Sequence, residues 1–165
     1  MSNQENFGSL GLEKWVSKSC NMMGMKTPKQ IQSLCIPDIL KGKHIIGSAE
    51  TGSGKTAAFA LPILNELSKD PYGVYALVLT PTRELAFQIA DQFKALGIAI
   101  GVKCCTVVGG MDMLQQAREL SDMPHIVVAT PGRLAAHFDS DSTLCEKFED
   151  MKFLVLDEAD RLLED

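Results

Sequence analysis

The first part of the chain carries apolar residues at helical spacing. Over Leu12–Met23 they recur every three or four residues, which predicts an amphipathic helix that stops at Gly24. A second helix is predicted to begin at Thr27-Pro28, an N-cap followed by the first helical residue, and to end at Gly42. Pro37 should kink or shorten this second helix because proline lacks a backbone N–H.

Short, nearly continuous apolar runs alternate with helical patterns over the remainder of the chain. Such runs are typical of parallel strands buried on both faces, and their alternation with helices predicts βαβ units with right-handed crossovers. The predicted fold class is therefore α/β, with a doubly wound parallel sheet. The predicted strands are His44–Gly47, Tyr75–Leu79, Cys104–Val108, His125–Ala129 and Phe153–Leu156. The predicted helices are Lys55–Leu67, Arg83–Leu96, Met113–Leu120 and Arg133–His137, and the predicted surface loop is Asp139–Asp150.

Composition restricts the class of protein without identifying it. The 165 residues include 16 Lys+Arg and 21 Asp+Glu, a formal charge of −5, and are 45% hydrophobic, which is typical of one soluble globular domain and unlike disordered chains. No apolar run approaches the roughly 20 residues of a membrane span. The polar terminus 1–6, predicted to be loose, lacks a signal pattern. The acidic balance weighs mildly against bulk electrostatic binding of nucleic acid, but not against a few local phosphate donors.

Cysteine and histidine offer no catalytic or metal-binding pattern. An odd number of cysteines without CxxC spacing argues against a disulfide framework and against zinc, and indicates mostly buried thiols of a cytosolic or nuclear protein. The cysteines are Cys20, Cys35, Cys104, Cys105 and Cys145. The isolated histidines, interpreted as structural, are His44, His125 and His137.

A glycine-rich segment between a predicted strand and a predicted helix is the strongest chemical signal. Residues 49–56 read AETGSGKT, a phosphate-loop pattern in which Ala49 replaces the usual first glycine. Glycines let successive N–H groups turn inward around a phosphate at the helix N-terminus. Lys55 can then reach the β- and γ-phosphates, and the Thr56 hydroxyl is placed to ligate Mg²⁺. The alternative is a glycine-rich turn that happens to precede a helix.

A nucleotide site of this kind needs an acidic element, and the predicted strand Phe153–Leu156 ends in one. Asp157-Glu158-Ala159-Asp160 follows directly, and carboxylates at the carboxyl end of a parallel strand point into the ligand crevice. We expect Asp157 to hold Mg²⁺ and Glu158 to act as the general base that orients the attacking water. The alternative is a charged strand end that caps the helix Ala159–Leu163.

These motifs, taken in order, resemble those of the DEAD-box RNA helicases over nearly the whole chain. The matching segments are AETGSGKT at 49–56, PTRELA at 81–86, Gly109-Gly110, TPGR at 130–133 and DEAD at 157–160. The resemblance implies an ATP-dependent RNA helicase that couples ATP hydrolysis to RNA duplex opening or RNP remodelling. It implies N-terminal helices with an adenine-recognition segment over 1–43, and a partial RecA-like P-loop NTPase domain over 44–165. ATP and Mg²⁺ are the implied cofactors.

The resemblance also assigns residues to the nucleotide. The segment 24–32 is similar to the family's adenine-recognition segment, with Gln32 as the reader and Gln30 as the alternative, since Gln30 stands where the family often has proline. Phe7 would stack on the base or, alternatively, be a hydrophobic anchor. The implied ATP-binding residues are Phe7, Gln32, Ala49, Thr51, Gly52, Ser53, Gly54, Lys55 and Thr56. The implied catalytic residues are Lys55, Asp157 and Glu158, and the implied metal ligands are Thr56 and Asp157.

A second set of residues is implied to bind single-stranded RNA through its sugar-phosphate backbone. Contacts of this kind predict little sequence preference. The alternatives are plain helix capping by the two threonines and an ordinary surface charge at Arg133. The implied RNA-binding residues are Pro81, Thr82, Arg83, Gly109, Gly110, Thr130, Pro131, Gly132 and Arg133.

Three segments are similar to the DEAD-box subgroup that acts in making the small ribosomal subunit. They are Leu67–Gly73, Val108–Met113 and Pro124-His125. This likeness implies pre-ribosomal partners and a place in the nucleus or nucleolus rather than the cytoplasm. No membrane partner is expected, since no apolar run has the length of a membrane span.

The chain stops shortly after the DEAD motif, so the family's next motif and second RecA-like domain are expected to lie outside it. An absent central strand would leave backbone groups unpaired. We therefore expect weak nucleotide binding at best, and no unwinding, from these residues alone. Two alternatives stay open: a non-catalytic truncated module that binds nucleotide or RNA, and another P-loop enzyme such as a kinase or DNA translocase.

Overall fold

The computed structural model describes residues 5–164. They fall into two compact units: unit 1 runs to Asp70 and includes Ala95–Gly101, and unit 2 comprises Pro71–Lys94 and the chain from Val102. Of the predicted loose terminus, residues 1–4 lie outside the described residues. Asn6 is ordered, because its side chain caps a short 3-10 helix over Phe7–Leu10. The boundary expected after residue 43 stays a prediction.

Unit 1 is built mainly from three helices. They are α1 (Lys14–Met22), α2 (Gln30–Leu40) and α3 (Lys55–Leu67), and a short 3-10 helix covers Ile98–Ile100. Two partly buried polar contacts join the start of α1 to α3 and its C-cap. The Glu13 N–H donates to Asn65 Oδ1 over 2.8 Å, and Trp15 Nε1 donates to Ser68 Oγ over 3.2 Å. The apolar faces of α2 and α3 pack directly on each other.

The structure confirms one predicted helix end and corrects another. The stop at Gly24 is confirmed, since Gly24 has φ +76°, a conformation that suits glycine. The start of α2 at Thr27-Pro28 is wrong: the N-cap is Lys29, because the Gln32 side chain accepts from the Lys29 N–H and fixes the first turn there. Pro37 lies inside α2 and does not shorten it.

The predicted strand His44–Gly47 is also wrong. Residues 43–50 form neither a strand nor a helix. A strand needs a hydrogen-bonded partner, and the described residues give this segment no ladder. Ile46 is fully exposed instead.

Unit 2 contains a parallel sheet of four strands in the order β2-β3-β1-β4. The strands are β1 (Ala76–Leu79), β2 (Cys104–Val107), β3 (Ile126–Ala129) and β4 (Phe153–Leu156). Each of the first three is one residue shorter than predicted, and β4 has the predicted bounds. In the register, the last residue of β1, Leu79, pairs with the last residues of β3 and β4, Ala129 and Leu156. The last residue of β2, Val107, also pairs with Ala129. The carboxyl ends of all four strands therefore form one even edge.

Helices connect the strands of unit 2. They are α4 (Arg83–Leu96), α5 (Met113–Ser121), α6 (Pro131–Ser140), α7 (Thr143–Glu146) and α8 (Ala159–Leu162). Because crossovers between parallel strands are right-handed, α4 lies on one face of the sheet and α5 to α7 on the other. The fold class predicted from the sequence is confirmed. None of the helices in residues 5–164 has the length and apolar character that a membrane crossing requires.

The predicted surface loop Asp139–Asp150 is wrong in part. Asp139 and Ser140 belong to the last turn of α6, and α7 occupies the middle of the segment. Leu144 is 2% exposed and packs into the core cluster with Leu120 and Leu134. Phe148, in the same segment, packs against this cluster as well, so apolar side chains within a polar run hold the segment on the core.

Candidate nucleotide and nucleic-acid sites

The phosphate loop of unit 1 has the backbone of an anion cradle. Gly52 and Gly54 have φ of +80° and +89°, and α3 begins at Lys55 with Gly54 as its N-cap. The Ser53 hydroxyl is buried and has no hydrogen-bond partner. A Cβ added at Gly52 would meet nothing within 4 Å, so the space beside the loop is open. These features fit a bound phosphate group.

Gln32 is the residue that holds this loop from α2. It is 2% exposed, its Oε1 accepts from the Lys29 N–H over 2.8 Å, and its Nε2 donates to the Gly54 carbonyl over 3.1 Å. A Cβ on Gly54 would lie 2.5 Å from Gln32 Nε2, so only glycine allows this contact. Gln30, in contrast, is an exposed first residue of α2.

The segment predicted to recognise adenine lines a cavity of about 350 Å³. Its walls are residues 24–29 and Gln32. Lys29 adds a cation at this place, because its ammonium group donates to the Gly52 carbonyl over 2.9 Å. Lys29 and Gln32 therefore link the cavity to the phosphate loop, and the reading of adenine by Gln32 stays a prediction.

Phe7 is packed as a hydrophobic anchor, 3% exposed. A stacking platform must present one ring face to the base. The structure thus favours the anchor alternative for Phe7, and its stacking role stays a prediction.

The acidic motif follows β4 at the carboxyl edge of the unit 2 sheet. Asp157 is fixed to the end of β1, since its N–H donates to the Leu79 carbonyl over 2.8 Å and its Oδ2 accepts from the Thr80 hydroxyl over 3.2 Å. Glu158 has φ +50°, a strained conformation for a residue with a side chain, and such strain is typical of functional sites. Its carboxylate pairs with Arg161 over 2.9 Å.

Two of the residues expected to bind RNA, Arg83 and Arg133, contact the loop Val108–Asp112 in unit 2. A Cβ on Gly110 would lie 2.7 Å from Arg83 Nη1, so the Arg83 guanidinium lies directly against this glycine. Arg133 Nε donates to the Val108 carbonyl over 3.1 Å, and its Nη2 donates to the Met111 carbonyl over 2.8 Å. Arg133 is therefore not an ordinary surface charge: it braces the loop.

The side chains of Thr82 and Thr130 differ in whether they cap the helix that follows. Thr82 Oγ1 accepts from the Leu85 N–H over 3.3 Å, which is the capping alternative. Thr130 occupies the N-cap position of α6 but its side chain makes no capping hydrogen bond, so its hydroxyl can face a ligand. Pro131 and Gly132, the first residues of α6, are exposed.

Several site residues had no signal in the sequence. Thr80 and the pair Gln116 and His137 make their contacts across 77 and 21 positions, and no motif spacing reveals such pairs. Lys29 could have been noticed as a cation directly before the first turn of α2.

Other reactive side chains offer no alternative site. Burial raises the pKa of Cys20 to about 11 and that of Cys104 to about 12, which disfavours the thiolate, the nucleophilic form of cysteine. The cysteines of the structure are free. Within residues 5–164, no group of His, Cys, Asp and Glu could hold a metal ion by itself.

Comparison with known proteins identifies the family. The family model described as DEAD/DEAH box helicase matches residues 29–165. The crystal structure of the RNA helicase Prp28 from Chaetomium thermophilum bound to ADP has a TM-score of 0.86 and 37% sequence identity, covering 96% of this chain and 39% of that one. The chain belongs to the DEAD/DEAH box helicase family, and its α/β fold is RecA-like.

Curated relatives are similar over almost the whole chain. The probable ATP-dependent RNA helicase DDX49 of Homo sapiens is 59% identical over 158 residues, which is 96% of this chain and 32% of that protein. The ATP-dependent RNA helicase DBP8 of Debaryomyces hansenii is 56% identical over 160 residues, 96% of this chain and 36% of that protein. The chain thus spans about a third of the length of the curated relatives it matches.

Proposed function

We propose that the protein carrying this chain is an ATP-dependent RNA helicase, in which ATP binding and hydrolysis are coupled to RNA duplex opening or RNP remodelling. The observation that carries the proposal is the phosphate loop, with its buried, unpartnered Ser53 hydroxyl and the Gln32 contact to Gly54. The names of the relatives and the ADP bound to Prp28 support the same nucleotide. The second RecA-like domain expected by resemblance is proposed as the partner of this one.

The roles proposed at the nucleotide follow from the chemistry of each side chain. Lys55 binds the β- and γ-phosphates through its ammonium group. Gln32 offers one donor and one acceptor, which suits the edge of adenine. Glu158 orients the attacking water and accepts its proton. Thr56 and Asp157 would hold Mg²⁺, because hydroxyl and carboxylate oxygens are its preferred ligands, and the ion would neutralise phosphate charge.

RNA is proposed to bind along the carboxyl edge of the unit 2 sheet. Exposed Gly109 and Gly110 permit close approach of a phosphate, and Arg83 supplies a cation beside Gly110. Thr130 and the exposed start of α6 add hydroxyl and N–H donors. Such contacts read the backbone rather than base edges, so the preference among RNA sequences is small.

ATPase measurements test this function. We expect turnover to be stimulated by single-stranded RNA and not by DNA of equal length, and Glu158→Gln to abolish it. Equal stimulation by DNA would favour a DNA translocase. Turnover that is unchanged in Glu158→Gln, with RNA still bound, would favour the non-catalytic module.

The finer proposal is action in small-ribosomal-subunit assembly in the nucleolus. It rests on the segments Leu67–Gly73, Val108–Met113 and Pro124-His125. We expect the tagged protein to accumulate in nucleoli and to sediment with pre-ribosomal particles. A diffuse cytoplasmic signal without such particles would contradict it.

A further inference from the structure

The Val108 carbonyl, at the start of the loop Val108–Asp112, accepts hydrogen bonds from two side chains. It accepts from Gln116 Nε2 over 2.8 Å and from Arg133 Nε over 3.1 Å. Val108 is itself fully buried, while the next two residues, Gly109 and Gly110, are exposed. A buried anchor therefore lies directly before the exposed turn.

A peptide unit is planar and trans, so its C=O and N–H point in opposite directions. The Val108 carbonyl and the Gly109 N–H belong to the same peptide unit. When Gln116 and Arg133 draw that carbonyl inward, the Gly109 N–H is turned outward. The described residues provide this N–H with no hydrogen-bond acceptor, and an outward N–H is a suitable donor to a phosphate oxygen.

Gln116 is oriented in turn by His137. Gln116 is 4% exposed and His137 1% exposed, and His137 Nε2 lies 3.0 Å from Gln116 Oε1. The Val108 oxygen can only accept, so the Gln116 amide must present Nε2 to it and Oε1 to the histidine. His137 Nε2 must then carry the proton, which makes His137 the donor.

We propose that Gln116 is a positioning residue for RNA binding, which sets the direction of the Gly109 N–H through the Val108 carbonyl, and that His137 orients Gln116. The inference rests on the proposed binding of RNA by the turn Gly109-Gly110. Neither side chain touches RNA in this scheme: the exposed backbone does, and the buried pair decides how it points.

The test compares Gln116→Met with Gln115→Met in the protein that carries this chain. Methionine keeps the length of the side chain and removes the amide. Gln115 precedes Gln116 on α5, and within residues 5–164 its side chain bonds only to exposed Glu119, so Gln115→Met is the matched control. We expect Gln116→Met to raise the Kd for a fluorescent oligouridine, measured with a non-hydrolysable ATP analogue, by about tenfold, with the control unchanged. The KM for ATP should stay the same in both.

A double variant separates positioning from loss of stability. Gln116→Met alone leaves the His137 N–H buried without an acceptor, which destabilises the fold. Gln116→Met combined with His137→Phe replaces both partners by apolar groups and should restore much of the melting temperature. We expect the Kd for RNA to stay high, because Val108 still lacks its amide donor. An RNA affinity that recovers together with the melting temperature would overturn the proposal.

Gly110→Ala distinguishes this inference from the function on which it rests. Its Cβ would collide with Arg83 at a φ of +76°, so the turn itself is disturbed. If Gly110→Ala weakens RNA binding and Gln116→Met does not, the turn binds RNA but the positioning role is wrong. If neither variant changes the Kd, the turn is not an RNA site and the proposed RNA surface is wrong as well.

Discussion

The Thr80 hydroxyl donates a hydrogen bond to Asp157 Oδ2 over 3.2 Å, from the residue that follows β1 to the residue that follows β4. Thr80 is fully buried, so its hydroxyl is held in place, whereas Asp157 is half-buried. The neighbouring backbone bond from the Asp157 N–H to the Leu79 carbonyl fixes the main chain that carries this carboxylate. The proposed metal ligand is thus oriented before any ion binds.

Thr80→Val should therefore weaken the proposed Mg²⁺ site without removing a ligand. Losing a hydrogen bond that orients a ligand costs about tenfold in metal affinity, so the Mg²⁺ concentration for half-maximal ATPase should rise by that factor. Thr106→Val, the same change on β2, is the control. An unchanged Mg²⁺ requirement in Thr80→Val would contradict the role of Thr80.

Gln32→Leu should lower ADP affinity by about tenfold, because one substitution removes both the proposed adenine contact and the hydrogen bond to Gly54. Gln30→Leu, at the exposed start of α2, should leave it unchanged. Calorimetric titration with Mg·ADP measures both variants, and titration with Mg·GDP shows whether the base is read. A loss confined to Gln30→Leu would make Gln30 the reader.

Replacing Glu158 by glycine should relieve backbone strain but abolish ATPase activity. Glycine adopts φ +50° without strain, whereas alanine retains the strain of about 1 kcal/mol. Glu158→Gly should therefore unfold at higher urea than Glu158→Ala. Both lose the carboxylate and the Arg161 pair, so both should lose ATPase activity. Equal stability of the two variants would show that the backbone at Glu158 is relaxed.

Acid should destabilise unit 2 through its histidines. Burial and the nearby Arg133 lower the pKa of His137, and burial and Lys103 lower the pKa of His125. Below a pH of about 6.5 the unfolded chain therefore binds more protons than the folded chain. The free energy of unfolding decreases as the pH falls further below this value. Urea unfolding at neutral and mildly acidic pH measures the decrease.

His137→Gln should reduce this decrease, because glutamine can still donate to Gln116 but does not titrate. His125→Gln tests the other histidine separately. A pH dependence that survives both substitutions would assign it to other groups.

The sequence alone predicted the bounds of those helices and strands that are set by residues close together along the chain. The bounds of α3, α4 and β4 were predicted to the residue, since glycine, proline and apolar runs mark them locally. Residues 44–47 failed because an apolar run becomes a strand only with a ladder partner, which sequence does not display. The phosphate loop could be predicted from the spacing of its glycines and lysine. The contacts of Lys29 and of the Gln116–His137 pair could not, because they join segments far apart in the sequence.

The edge of β4 has a practical consequence for handling the chain. Within the part of the chain that the structure describes, the sheet ends at this strand, where Leu154 and Leu156 are 55% and 43% exposed. An open strand with apolar side chains is a template on which another polypeptide can add a strand. The fraction of this chain that stays monomeric in solution should therefore fall as its concentration rises. Binding measurements on this chain should be made on dilute samples.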